Sequence, residues 1–229
     1  MEKINFLDYI ERHYGFQLTS SQLKYYFTTN KYVVMTSPRK GGKTFIASLD
    51  ALQTCTTPNK NVCIVIGSEI ERRFIQNYII DIVESLNGYI TIDFINDNQI
   101  KFTNNSNIYF KSNEFDSRGT KFNKAIISEP DSINDMEDLI LRLELCMAIC
   151  PDAQIKLVGT HMRNKTNLIS YMLNPYYEKI QITYNQLHYR HSEEDLRKIR
   201  EIMDTVSYNL EILNNISPNV IGAMFQRSE

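Results

Sequence analysis

The chain has 229 residues, 42% hydrophobic and 23% charged, which suits one globular domain, or one domain with a small appendage, able to bury a sizeable core. No apolar run approaches the roughly 18 residues that span a bilayer, and the N-terminus, Met1-Glu2-Lys3-Ile4-Asn5, is too polar for a secretory signal. Lys and Arg number 25 against 27 Asp and Glu, a net charge of −2, so the chain lacks a broad basic excess, although basic residues gather at Lys40 to Lys43, Arg72-Arg73, Arg118 to Lys124 and Arg163 to Lys165.

Residues 5–30 read as a helical entry segment. Phe6, Leu7 and Ile10, with Tyr9 and Tyr14, mark one amphipathic helix, and Ser20 or Ser21 is placed to cap the stretch carrying Leu23, Tyr25, Tyr26 and Phe27. Tyr32-Val33-Val34-Met35 is an apolar strand; a glycine-bearing turn follows, then the helix-like Phe45-Ile46-Ala47-Ser48-Leu49. Val62-Cys63-Ile64-Val65-Ile66 is a continuous apolar run, as expected of a strand covered on both faces. Helical spacing over 69–86 gives way to short strands at 90–95, 99–103 and 108–111, separated by the turns Asn96-Asp97-Asn98 and Asn104-Asn105-Ser106. Ala125-Ile126-Ile127-Ser128 predicts another buried strand, 135–148 a helix, 155–159 a strand, 166–173 a helix and 177–184 a strand. A charged, solvated helix over 193–206 and a short helix through 213 complete the series.

Strands alternating with helices predict an α/β fold with a central, mostly parallel sheet flanked by helices. There is no internal repeat, low-complexity tract or Pro/Gly linker, and the one candidate boundary falls near 160–175. The expected division is a core over 1–175, including the N-terminal helical segment, and a C-terminal lid or extension over 176–229. Cys55, Cys63, Cys146 and Cys150 form no C-x-x-C pair and lie in or beside apolar segments, which predicts buried thiols.

The turn Ser37-Pro38-Arg39-Lys40-Gly41-Gly42-Lys43-Thr44 is the chemically informative segment. Strand, glycine turn, Lys-Thr and helix is the context of a phosphate-binding loop, the Walker A element of P-loop NTPases. Its backbone N–H groups face phosphate oxygens, and the helix N-terminus adds positive partial charge. Lys43 would reach the β and γ phosphates of ATP, and the Thr44 hydroxyl would ligate Mg²⁺. The usual first glycine is replaced by Ser37.

Such a loop needs an acidic centre at the end of a buried strand. Ala125-Ile126-Ile127-Ser128-Glu129 offers Glu129 as the carboxylate that polarises the attacking water and meets Mg²⁺ through water. The common pattern places an Asp before that Glu, and here Ser128 stands there, with Asp131 as a second possible charge. Arg118-Gly119 reads either as an arginine finger or as a surface arginine in a loop. Gly159-Thr160 reads either as a coupling element that senses the γ-phosphate or as a plain strand end. Gln22 has the donor and acceptor an adenine edge requires. His188 and His191 are three apart but lack an obvious third metal ligand.

In this order, Gln22, the loop at 37–44, Arg118-Gly119, Glu129 and Gly159-Thr160-His161 resemble the ATPase domain of a tailed-phage terminase large subunit, over roughly residues 5–215. The resemblance implies a P-loop NTPase of the ASCE type that hydrolyses ATP with Mg²⁺ to translocate double-stranded DNA into a procapsid. It implies that Arg39, four residues before Lys43, contacts phosphate within its own subunit, and that Arg118 acts in trans on a neighbour in a homo-oligomeric ring, commonly a pentamer. The implied partners are double-stranded DNA, a portal protein and a small terminase subunit, in the cytoplasm of an infected host. The chain departs from the family at Ser128, and no RNase H-like acidic triad for a nuclease is visible before Glu229. A superfamily 2-like translocase or helicase, and a nucleotide-binding assembly module with slow turnover, are the alternative readings.

Overall fold

The computed structural model describes residues 3–115, 119–187 and 191–216. Two helices lead in, α1 (Lys3–Tyr14) and α2 (Ser20–Phe27). The N-cap of α2 is Thr19, not Ser20 or Ser21: its side chain accepts from the Gln22 N–H, and the Gln22 side chain accepts from the Thr19 N–H. This reciprocal pair satisfies two amides that the helix itself leaves unpaired.

The strands are β1 (Tyr32–Thr36), β2 (Asn61–Val65), β3 (Ile92–Asn96), β4 (Gln99–Phe102), β5 (Asn107–Lys111), β6 (Lys124–Ser128), β7 (Gln154–Gly159) and β8 (Glu178–Gln181). They form one eight-stranded sheet in the order β3-β4-β5-β2-β6-β7-β1-β8. All pairings from β5 to β8 are parallel, and β3, β4 and β5 form an antiparallel meander at one edge. The expected mixed, mostly parallel α/β sheet is what the chain builds. The predicted strand at 177–184 is real but shorter, and it is an edge strand of this sheet beside β1. Part of the segment expected as a lid is therefore integral to the core.

The connecting helices are α3 (Lys43–Cys55), α4 (Glu69–Ser85), α5 (Met136–Met147), α6 (Asn167–Leu173) and the exposed α7 (Glu193–Ile202), which buries no residue. Strand side chains alternate between two layers. Val33, Met35, Val62, Ile64, Ile126 and Val158 pack against α1 to α4. Val34, Cys63, Val65, Ala125, Ile127, Ile155 and Leu157 pack against α5 and Leu168 of α6. Apolar residues inside β1, β2, β6 and β7 thus face cover on both sides, which is why those runs are continuous rather than alternating.

One buried charge cluster ties the first layer together. Asp50 of α3 meets Lys124 of β6 at 2.5 Å and Lys156 of β7 at 3.0 Å. The Lys156 ammonium also donates to the Tyr25 carbonyl of α2 at 2.9 Å. The four thiols are free, three of them buried, as predicted; burial pushes the Cys55 and Cys63 thiols up and keeps them protonated. Among the described residues no helix is long and apolar enough to cross a membrane.

Candidate nucleotide site

At the carboxyl end of the sheet, β1 runs into the loop at 37–42, and α3 begins at Lys43 with Gly42 as N-cap. Gly42 has φ 75° and supplies no side-chain cap, so the first-turn amides of α3 keep their donor capacity toward the loop's interior. The loop is drawn tight. A Cβ on Gly41 would sit 1.9 Å from Ser37 Oγ, and one on Gly42 would sit 2.7 Å from Gln22 Nε2. Ser37 is fully buried, its hydroxyl donating to the Pro38 carbonyl at 3.1 Å, while the Gly41 N–H closes onto the same carbonyl. A serine at the first loop position is thus accommodated by turning inward. The exposed Lys40 takes φ 61° at the tip. A narrow backbone cradle at an uncapped helix start, with one lysine beneath it, fits a phosphate chain.

The later motifs converge on this loop. Glu129 follows β6 in a left-handed conformation, φ 49°, and its N–H donates to the Val158 carbonyl of β7 at 2.8 Å. Its carboxylate pairs with Lys43 Nζ at 3.0 Å through Oε1 and accepts the Thr160 N–H at 3.0 Å through Oε2. The Thr160 hydroxyl donates to the Ser37 carbonyl at 3.0 Å. A closed circuit therefore runs from the phosphate loop through Lys43, Glu129 and Thr160 back to Ser37. Gly159 is needed beside it, because a Cβ there would lie 2.8 Å from Leu168 Cδ1 and 3.2 Å from Glu129 Oε2.

The remaining predicted residues are placed as follows. Gln22 sits against the loop, its Nε2 donating to the Gly41 carbonyl at 3.2 Å while its Oε1 serves the α2 cap. Arg39 forms an ion pair with Glu211 at 2.6 Å, and its backbone N–H donates to the Glu211 carbonyl at 2.8 Å. Glu211 lies in the π-helical turn Tyr208–Ile212, so the C-terminal segment clasps the loop. Asn214 adds to this, donating to Thr36 Oγ1 and to the Ile182 carbonyl. Asp131 is buried and accepts the N–H groups of Met162 and Leu168, which fixes the start of α6. Arg118 and His188 lie outside the described residues. Among those described, no group of three His, Cys, Asp or Glu residues could hold a metal ion by itself.

Sequence reasoning missed Glu71. The hydroxyl of Ser128 donates to its Oε1, and the Gly67 N–H donates to Oε2 at 3.2 Å. Burial raises its pKa most, the nearby Glu129 charge adds to that, and the Ser128 bond, the Gly67 amide and Lys43 pull the other way. Glu71 shares a cavity of about 300 Å³ with Thr44 and Glu129, walled by Ile70, Phe74 and Tyr78 of α4. The signal in the sequence was Ser68-Glu69-Ile70-Glu71, which reads as a helix start. Ser68 does cap α4, and that reading leaves no sign of the Ser128 contact.

No protein-family model matches the chain, and no curated protein matches it. Solved structures do. The large terminase of bacteriophage HK97 aligns over 93% of this chain and 55% of its own, at 15% identity and a TM-score of 0.73. The ATPase domain of the Thermus phage P74-26 large terminase aligns over 88% and 95%, at 14% identity and 0.70. The fold is the one these ATPase domains share. The large terminase of a thermophilic bacteriophage, in complex with ADP, aligns over 85% and 52%, at 12% identity and 0.66. A DEAD box protein from Methanococcus jannaschii aligns over 88% and 61%, at 14% identity and 0.51. The chain spans about half the length of the HK97 terminase and of the ADP-bound one.

Proposed function

We propose that this chain is the ATP-hydrolysing motor domain of a viral DNA-packaging terminase. The observation that carries the reading is the Lys43–Glu129–Thr160–Ser37 circuit, built at the phosphate loop of a fold shared with terminase ATPase domains. The loop amides and Lys43 would hold the phosphates of ATP, with Gln22 on the adenine side. Glu129 would accept a proton from water as its oxygen attacks the γ-phosphorus and the bond to ADP breaks. Mg²⁺ bound with the nucleotide would neutralise the phosphate oxygens and orient them, and Thr44 and Glu129 are the residues to hold it. Loss of the γ-phosphate would release Glu129 from its task and, through its bond to the Thr160 N–H, reach the end of β7.

By the same reading Arg39 exchanges Glu211 for phosphate, and Arg118 serves a neighbouring subunit in a ring, probed by mixing subunits that lack one or the other. Double-stranded DNA, a portal protein and a small terminase subunit are the proposed partners, in the host cytoplasm. The likeness to a DEAD box protein supports the broader alternative of a superfamily 2-like translocase, and Ser128 supports a slow or silent nucleotide-binding module.

Steady-state phosphate release decides among these. Lys43→Ala and Glu129→Ala are each expected to lower turnover by about 10²- to 10⁴-fold. Wild-type turnover in both variants would end the ATPase assignment. Stimulation by linear duplex DNA with portal-bearing procapsids separates the packaging motor from the translocase reading, and tight ATP binding without any release leaves the silent module.

A further inference from the structure

Ser128 leaves the end of β6 with a neutral hydroxyl where a carboxylate would face the metal. Mg²⁺ is a hard cation that is held by one or two carboxylates together with nucleotide phosphates and water, so a hydroxyl alone is a poor replacement. The sheet brings a carboxylate to the same place from another element. β2 lies beside β6 with Val65 opposite Ile127, so the chain leaving β2 turns into α4 next to Ser128. Two hydrogen bonds then orient the Glu71 side chain, one from the Ser128 hydroxyl and one from the Gly67 N–H at 3.2 Å. The carboxylate lines one cavity with Thr44 and Glu129, the two groups already assigned to the metal's side of the site.

The geometry points to Glu71 as the carboxylate of the Mg²⁺ water shell, supplied by α4 instead of β6, with Ser128 as the positioning residue that aims it. The inference rests on the nucleotide-site reading above. It makes Ser128 part of a two-residue replacement: the hydroxyl donates where an aspartate would have accepted, and the acceptor it holds carries the charge. A glutamate on the helix has one methylene more of reach than an aspartate on the strand. As a helix-capping residue alone, Glu71 would need neither Ser128 nor the shared cavity.

The test is binding of ADP and ATP-γ-S by calorimetry, with Mg²⁺ and with EDTA, and Mn²⁺ electron paramagnetic resonance of the nucleotide complex. Glu71→Gln keeps a hydrogen-bond acceptor within reach of Ser128 and should bind metal-free nucleotide as the wild type does. Its affinity for the metal in the nucleotide complex should fall about 10- to 100-fold. Adding Ser128→Asp to Glu71→Gln should restore it. An unchanged metal affinity in Glu71→Gln overturns the assignment, as does wild-type nucleotide binding that is indifferent to metal. If Glu71→Gln loses metal-free binding through misfolding, Ser128→Ala decides: weaker metal affinity supports the inference and unchanged affinity overturns it. A wild type that binds no nucleotide under either condition refutes the ATPase reading itself.

Discussion

Glu129 holds a backbone conformation, φ 49°, that costs a non-glycine residue about 1–3 kcal/mol. The cost is sustained because the carboxylate is fixed from two sides, by Lys43 and by the Thr160 N–H. His161, the next residue along, is fully buried, and neither ring nitrogen has a partner. Burial pushes its pKa down to about 4, against about 6.5 in the unfolded chain. As pH falls, the unfolded chain takes up the proton first. The contribution to stability is therefore complete above about pH 6.5 and is lost as pH falls toward 4, about 3 kcal/mol in all. Melting temperatures of wild type and His161→Leu across that window should diverge in slope, the variant being flatter. Glu71 and Asp131, whose pKa values are raised, have the opposite slope in both proteins and cancel in the comparison. At this scale the sequence was legible where spacing is local. The glycine turn singles out Lys43 and Thr44, the strand end singles out Glu129, and the structure brings the three together. The Arg39 partner, Glu211, was not legible, because nothing local joins residues separated by 172 positions.

The elements that matter most are those whose ends meet the phosphate loop. Helix α2 is short, and its capping pair is also its link to the site, since Gln22 Nε2 donates to Gly41. Thr19→Ala removes the acceptor for the Gln22 N–H and should destabilise the protein by about 1 kcal/mol. For a chain of this size that is a fall in melting temperature of roughly 2–4 °C, read by circular dichroism. The helices were predictable from apolar spacing, and α4, α5 and α6 fall within a residue or so of expectation. The cap of α2 was misplaced because three consecutive hydroxyl residues, Thr19-Ser20-Ser21, compete as caps. The glutamine three positions after Thr19 settles the choice, through the reciprocal bond that only this pairing allows. The last strand was expected over 177–184 as part of the C-terminal extension and not as a member of the sheet, since its short polar sequence, Glu178-Lys179-Ile180-Gln181, has no sign of a neighbour.

For the molecule as a whole, the buried Asp50–Lys124–Lys156 cluster joins α3 to two central strands and, through Tyr25, to α2. An ion cluster of this kind adds little net stability when intact, but removing Asp50 takes its negative charge away from two buried ammonium groups. Asp50→Asn is expected to cost roughly 3–5 kcal/mol, seen as a lower urea midpoint. The α/β class followed from alternation of strand and helix runs, but the order of strands did not. Order is set by which crossovers pack their helices on which face, and a run of Val and Ile contains no record of its lateral neighbours.

That order has a consequence for how the chain matures. The strand that launches the loop at 37–42, β1, is the first of the sheet in sequence, yet its partners, β7 and β8, are the last two. Until β7 has been made, β1 is an apolar segment without lateral pairing, exposed to the hazards of any partly made parallel sheet. The strand that delivers the loop gains both its neighbours only when residues up to Gln181 have emerged from the ribosome and slotted in on either side. The loop at 37–42 is thus set between its neighbours only after the last strands of the sheet have been made, and it acts in effect as a seal on a completed sheet.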